Sequence, residues 1–394
     1  MVKCTLVGRC ESILCAAVPM TDSPSQRSPR LGSSPPPGQK RGSRGAVGHL
    51  PNRFERVSLS ILDANDVSTE VERGGPKTQF VRDSSRTIVS SNDSPDLPFR
   101  YSINPYRGCE HGCSYCYARP THEFLGYDAG LDFESKIVVK ENAAELFRQW
   151  LMRAPHIDAR GAAETVVMSG VTDCYQPAER RFRLTRACLA VAREFGQPMS
   201  LITKNALVTR DLDLLAEMAE RRLVRVAISL TTLDAALAGT MEPRTSRPAA
   251  RLRTIRELTD AGVPVHVMLA PIIPNLNDSE IPQLLEAAAD HGAVSAGHVL
   301  LRLPLSVEPV FRDWLREHAA SKADAVESAV KGTRGGAFYS PKWGQRQSGT
   351  GPRAEQIMQT MRVFMKRHGL DVAPPPLDLE QFTRPGASSQ MSLF

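Results

Sequence analysis

Long apolar runs are missing from this chain of 394 residues. Its most apolar stretch, Val263 to Ile273, is interrupted by His266, Pro264 and Pro271, whereas a helix crossing a bilayer needs about 20 apolar residues in succession. A membrane-spanning helix is excluded. A secretion signal is lacking as well, because the apolar patch Ile13 to Val18 is short and directly follows Arg9 and Glu11. Cysteine is scarce, at 8 residues. In a chain this long without a secretion signal, that number argues against a disulfide framework and for metal or redox chemistry. The expected compartment is therefore the cytoplasm. Acids are almost absent from residues 1 to 53, where only Glu11 and Asp22 occur. A transit peptide has that composition, but a loose basic leader fits it better.

What is present is ordinary for an enzyme-sized globular protein, with 41% hydrophobic and 23% charged residues. The net charge of +6 resides largely in the leader, at Arg27, Arg30, Lys40, Arg41, Arg44 and Arg53. It permits nucleic-acid affinity without demanding it. Residues 20 to 48 combine Ser, Pro, Gly and Arg, including Pro35, Pro36 and Pro37, and cannot bury enough apolar surface to offset the entropy of ordering. A flexible leader over residues 1–53 is expected, with Met20 as a second candidate start. An N-terminal extension over 54–98 follows it.

From Phe99 the pattern becomes short aliphatic strands alternating with amphipathic helices, the mark of a parallel α/β fold. A first strand is expected over Phe99 to Ile103. Five more are expected over Thr165 to Ser169, Met199 to Thr203, Val224 to Leu230, Val263 to Ala270 and Ala296 to Leu301, all aliphatic or β-branched as strands buried on both faces require. Between them run helices striped by Leu212, Leu215 and Met218, by Leu252, Ile255 and Leu258, and by Ile281, Leu284, Leu285 and Ala288. Such a series fits either a doubly wound open sheet or an incomplete barrel. After Leu303 the repeat stops. Helices over Val310 to Ala319 and Arg353 to His368 form an expected helical extension over 304–372, with a Gly-rich mobile loop from Gly332 to Gly351, and a loose tail over 373–394.

Cys4, Cys10 and Cys15 lie in the leader, and Cys174 and Cys188 are isolated. Cys109-Glu-His-Gly-Cys113-Ser-Tyr-Cys116 alone forms a cluster, on a loop after the first strand and flanked by Gly108 and Gly112. Cubane iron–sulfur clusters are held by cysteine thiolates, normally four, so three leave one iron open to a ligand. The competing reading is structural zinc completed by His111 or His122. Zinc pairs, however, come as C-x2-C units far apart, which this spacing is not.

The run matches C-x3-C-x-aromatic-C with Tyr115 as the aromatic, and it resembles the radical S-adenosylmethionine superfamily. That resemblance implies a [4Fe-4S] cluster on Cys109, Cys113 and Cys116, S-adenosyl-L-methionine as cofactor, and a 5'-deoxyadenosyl radical that abstracts hydrogen from substrate. It implies a partial (β/α)6 TIM-like barrel over residues 99–303, with the site at the strand C-termini. Asn104-Pro-Tyr-Arg-Gly-Cys109, Ser229-Leu-Thr-Thr-Leu-Asp234 and Ala270-Pro-Ile-Ile-Pro-Asn-Leu-Asn-Asp278 look like the spore photoproduct lyase-like subgroup, often labelled DNA repair photolyase. An electron donor such as flavodoxin or ferredoxin belongs with that chemistry.

The same resemblance suggests cofactor contacts at Tyr115, Ser169, Gly170, Asp173, Lys204 and Ser229, although Ser169-Gly170-Val171-Thr172-Asp173 departs from the superfamily's Gly-Gly-Glu. Gly170 lets backbone approach a ligand, Asp173 is placed to accept from the methionine ammonium, Lys204 to pair with its carboxylate and Ser229 to bond the ribose. Cys174 is expected to return a hydrogen atom to product, with Tyr175 and Tyr117 as relay partners. The last residues, Gln390, Met391, Ser392, Leu393 and Phe394, resemble a bacterial sliding-clamp-binding peptide. A gripping element for nucleic acid is expected in Arg334, Lys342, Arg346 and Arg353, interleaved with Phe338, Tyr339 and Trp343. Three functions compete: a radical enzyme for DNA lesions, one for a peptide or small molecule, and a non-enzymatic zinc-stabilised binding module.

Overall fold

The computed structural model describes residues 44–54 and 76–385. Ten strands run through them: β1 (Gln79–Arg82), β2 (Val89–Ser91), β3 (Tyr101–Ile103), β4 (Tyr106–Arg107), β5 (Lys136–Val139), β6 (Val166–Met168), β7 (Met199–Thr203), β8 (Val224–Ser229), β9 (Val265–Ile272) and β10 (Ser295–Leu300). Seven form one sheet in the order β10-β9-β8-β7-β6-β3-β2. From β3 to β10 the neighbours are parallel and follow chain order, and β2 joins antiparallel at the edge. Consecutive parallel strands need a crossover, and helices supply it. This is the partial barrel expected, open between β10 and β2 among the described residues. A second sheet, β1-β5-β4, lies outside the expected set.

The two faces of the large sheet differ in composition because side chains alternate along each strand. Met168, Leu201, Val226, Ile228, Val267 and Leu269 share one face and are fully buried in the main core. Crossover helices cover it with their own stripes, such as Cys188, Leu189, Ala192 and Phe195 of Leu184–Phe195 and Leu214, Leu215 and Met218 of Leu212–Glu220. Each fully buried leucine contributes roughly 2 kcal/mol. Ser200, Arg225, His266 and Met268 alternate with these on the concave face and are only half-buried.

Helix ends carry their expected signals. Pro248 and Pro352 sit in first turns, and the Asp234 side chain accepts from the amides of Ala236 and Leu237. Gly196 ends Leu184–Phe195 at φ +63°, and a Cβ there would lie 2.2 Å from the Gln381 carbonyl oxygen. Only glycine suits both demands.

After β10 come helices Val307–His318, Ala323–Gly332 and Pro352–Arg367. Two expectations change here. The tail from Pro374 is not loose throughout: Leu379 accepts from the Ala163 amide at 2.7 Å, the Asp378 amide donates to Arg222 at 2.8 Å, and Thr383 donates to Phe195 at 2.9 Å. Phe382 packs on His156 and Phe195. The leader is also docked over its last residues. The Gly45 and Ala46 amides donate to Glu134, Asn52 donates to the Glu123 and Tyr127 carbonyls, and Arg53 pairs with Glu123. The leader cysteines and Gln390–Phe394 fall outside the described residues.

Candidate active site

The three clustered cysteines follow β4, not β3 directly, because Tyr106 and Arg107 pair with β5 in the small sheet. Gly108 (φ +77°) and Gly112 (φ +65°) bend the loop, and a Cβ on Gly112 would lie 2.6 Å from Glu134 Oε2. The Cys109 amide donates to Phe133 and the Ser114 amide to Met241, so both ends of the loop are fixed. Burial raises the Cys109, Cys113 and Cys116 thiols, and for Cys109 and Cys113 the neighbouring thiols add to the effect. Lys204 opposes it at Cys113 and Cys116, Arg251 at Cys113 and Arg119 at Cys116.

An anionic group bound to these sulfurs would meet those same cations. Among the described residues, the one set of three metal-ligating side chains with all donor atoms within 4.8 Å is His49, Asp128 and Asp132. The Cys109, Cys113 and Cys116 sulfurs are therefore not all within 4.8 Å of one another. Three thiols on one loop are the donor set of a [4Fe-4S] cluster with one iron open to a ligand. His111 is engaged on both nitrogens, Nδ1 lying 3.4 Å from Asp173 and Nε2 3.1 Å from Asn205 Nδ2, while His122 packs between Tyr127 and Phe133 with neither ring nitrogen hydrogen-bonded.

Buried ion pairs hold the loop from below. Arg119 is 0% exposed. Its Nε and Nη2 donate to the Cys113 carbonyl at 3.1 and 2.8 Å, Nη1 donates to Ala129 and Gly130, and Nη2 meets Glu134 at 2.6 Å. Glu134 also receives Gly45 and Ala46, so residues near the chain's start are tied to the thiol loop through one carboxylate. The second pair is Glu242 with Arg251, and Tyr115 donates its hydroxyl to Glu242. Arg244 pairs with Glu110 at 3.1 Å. None of these charged residues was singled out by sequence.

The second-strand exit is a tightly bonded turn. Ser169, at φ +75°, accepts from the Cys174 amide at 2.7 Å. Gly170 approaches Ser102, which a Cβ would meet at 3.2 Å, and its carbonyl accepts from Tyr117 at 2.7 Å. Asp173 already accepts from Thr203 Oγ1, the Lys204 amide and the Tyr175 amide, all at 2.8 Å, beside His111. Its carboxylate joins three loops and has little capacity left for a ligand's ammonium. Cys174 is 1% exposed in the main core, and burial together with Asp173 raises its thiol far up. Tyr175 is buried and donates to Asp211, which Arg186 and Arg210 also bind. Both side chains are buried, and the raised Cys174 thiol keeps its S–H hydrogen.

Lys204 lies at the end of β7 with Nζ 5.8 Å from the Tyr115 ring and 3.3 Å from the Ala270 carbonyl. Ser229 ends β8, and its carbonyl accepts from Arg251. Tyr117 is 45% exposed, one residue past Cys116, with Arg302 over its ring at 5.5 Å. In the Gly332–Gly351 segment, Arg346 meets Asp96 at 2.5 Å and Phe338 lies between Arg312 and Lys331, and just beyond it Arg353 meets Asp278 at 2.6 Å. This segment is tied down, and half of its expected grip is spent internally.

Parallel strands in chain order are joined here to a loop of three clustered thiols, Cys109 and Cys113 buried and Cys116 half-buried. The profile of the Radical SAM superfamily matches residues 103–288, and the chain belongs to that superfamily. Its members use a [4Fe-4S] cluster and S-adenosylmethionine. An uncharacterized protein of Mycobacterium tuberculosis is 42% identical over 221 residues, 56% of this chain and 64% of that protein. The chain thus spans about 64% of the length of this curated relative. An uncharacterized protein of Methanocaldococcus jannaschii is 32% identical over 204 residues, 52% of this chain and 71% of that protein. A cysteine-to-serine variant of spore photoproduct lyase superposes with a TM-score of 0.54 at 18% identity, covering 73% of this chain and 79% of its own. A second variant, with bound AdoMet and dinucleoside spore photoproduct, gives 0.53 at 19% over 73% and 78%. These likenesses speak for the fold.

Proposed function

We propose that this chain is a radical S-adenosylmethionine enzyme acting on a nucleic-acid lesion or modified base, with Cys109, Cys113 and Cys116 as the cluster ligands. The observation that carries the reading is the three-thiol loop at the C-terminal end of the parallel strands, with Cys109 and Cys113 buried and Cys116 half-buried. When bound and reduced, the cluster supplies the electron that cleaves S-adenosylmethionine to methionine and a 5'-deoxyadenosyl radical. Cys109, Cys113 and Cys116 would hold that cluster and, being three thiolates, would leave one iron open to the cofactor. Lys204 pairs with that carboxylate, steadied over Tyr115. Gly170 lets the backbone come close, and Ser229 bonds the ribose. Tyr117 faces the substrate side.

The nucleic-acid assignment is supported by the lyase-like segments and by the fold shared with a protein that binds a dinucleoside photoproduct. Flavodoxin or ferredoxin would deliver the electron, and Gln390–Phe394 would engage a sliding clamp. The test is anaerobic reconstitution with iron and sulfide, dithionite reduction, and assay of 5'-deoxyadenosine beside Cys113→Ala. Product in the parent and none in the variant is expected; a colourless, zinc-loaded protein without cleavage would sink the proposal.

A further inference from the structure

Arg334 is 5% exposed, yet among the described residues no carboxylate lies within 4 Å of its guanidinium. Its Nη atoms donate to the Leu300, Leu301 and Gln345 carbonyls, and its Nε has no acceptor. A buried cation usually has a counter-ion, since desolvation disfavours its charge. Here burial and the nearby Arg302 bring it down to about 10. Arg302 likewise has a buried Nε without an acceptor. Asp96, whose carboxyl is lowered in part by Arg302, is already held by Arg346.

Arg334 lines a cavity of about 420 Å³ with Tyr339, Lys342, Gln345 and Thr350. Two cations, a phenol and a threonine hydroxyl around one hollow suit a phosphate group, whose oxygens accept several charge-assisted bonds at once. Beside Lys342 stands Trp343, 59% exposed. An exposed indole next to a cation offers a face on which a base can stack while its phosphate is held.

The hollow is linked to the thiol loop through few steps. Arg334 bonds the end of β10, Arg302 follows directly and covers Tyr117, and Tyr117 adjoins Cys116. We propose that the segment 333–350 is a single-strand nucleic-acid grip, its cavity taking a backbone phosphodiester and Trp343 an adjacent base. This deepens the radical-enzyme reading and rests on it for the identity of the substrate class. Of the cations that sequence grouped here, Lys342 and Arg334 serve the grip, while Arg346 and Arg353 brace the segment.

Fluorescence anisotropy of a labelled oligothymidylate, measured on the reconstituted full chain across a salt series, tests it. Lys342→Ala is expected to flatten the slope of log K against log salt by about 0.7, one phosphate contact on a single strand. Trp343→Ala is expected to weaken binding about tenfold. Both side chains are exposed, so melting curves should match the parent and exclude misfolding. Unchanged slope and affinity in both variants would overturn the grip. Competition by inorganic phosphate in the parent, with oligothymidylate affinity unaltered in Lys342→Ala, would assign the cavity to the free ion and overturn the nucleic-acid part. An acidic peptide bound in place of the oligomer would do the same. Assay of 5'-deoxyadenosine on the same parent preparation keeps the two readings apart: no cleavage with intact binding fails the radical chemistry alone, and cleavage without binding fails the grip alone.

Discussion

The two ends of the parallel strands are held by different forces. At the C-terminal end, buried charges fix the loops: Arg119 with Glu134 and Arg251 with Glu242 brace the thiols, and Asp173 gathers three loops. At the N-terminal end, residues 378–383 run across the entries to β6, β7 and β8, bonded through main chain, by Phe382 against His156 and Phe195, and by partly exposed polar pairs of Arg222 with Asp378 and Arg221 with Gln381. Charges demand defined partners and so set geometry at the cost of desolvation. Apolar, main-chain and partly exposed polar contacts close a surface without prescribing chemistry. In barrels of this kind, function gathers at the C-terminal end and stability at the other.

The sharpest way to break this contrast is at the thiols. Cys113→Ala should abolish iron binding and bring 5'-deoxyadenosine to background. Cys188→Ala, a buried thiol on a covering helix, should keep both and lose only about 1 kcal/mol of stability by denaturant unfolding. Equal iron loss in the two would mean that any buried thiol matters as much. Next comes Arg119→Leu, which strands Glu134 in the interior. We expect a loss of about 3–5 kcal/mol in apo unfolding and a fall in iron per chain. A neutral outcome would show that the upper end tolerates loss of its charges.

The lower end should respond to acid. Burial lowers His156 to about 4 from 6.5. Because its folded value lies below the unfolded one, the unfolded chain takes up the proton first. Stability is complete above about pH 6.5 and falls by up to about 3 kcal/mol as the pH drops to 4. His156→Gln should flatten that slope relative to the parent; parallel pH curves would remove His156 from the account. Smallest is Phe382→Ala, expected to cost about 1–2 kcal/mol in thermal or denaturant unfolding while 5'-deoxyadenosine formation persists. Loss of turnover there would join the two ends functionally.

Apolar periodicity made the large sheet legible: β7 spans Met199–Thr203 as expected, and β8 and β10 differ by one residue at their ends. β9 runs two residues past Ala270 because pairing with β10 extends to Ile272 and Leu300. The small sheet escaped notice, since strands as short as Tyr106–Arg107 carry no period. The thiols were legible from spacing. Their supports were not: Arg119, Glu134, Glu242 and Arg251 look like any solvated charge until the fold buries them in pairs. Arg119 alone offered a cue, three residues beyond Cys116. Counting the cations of 334–353 likewise misled, because the partner of Arg346 lies 250 residues upstream at Asp96.

Arg221 and Gln381 bond across 160 residues of chain. A ribosome builds from the N-terminus, so Phe195 and His156 are made long before Phe382 arrives to cover them. During that interval the growing chain presents apolar and aromatic surface, which chaperones bind and which favours clumping at high synthesis rates. The closing of the floor is thus an event late in translation, and a stop codon placed before residue 378 should yield a chain that is made but poorly recovered in soluble form.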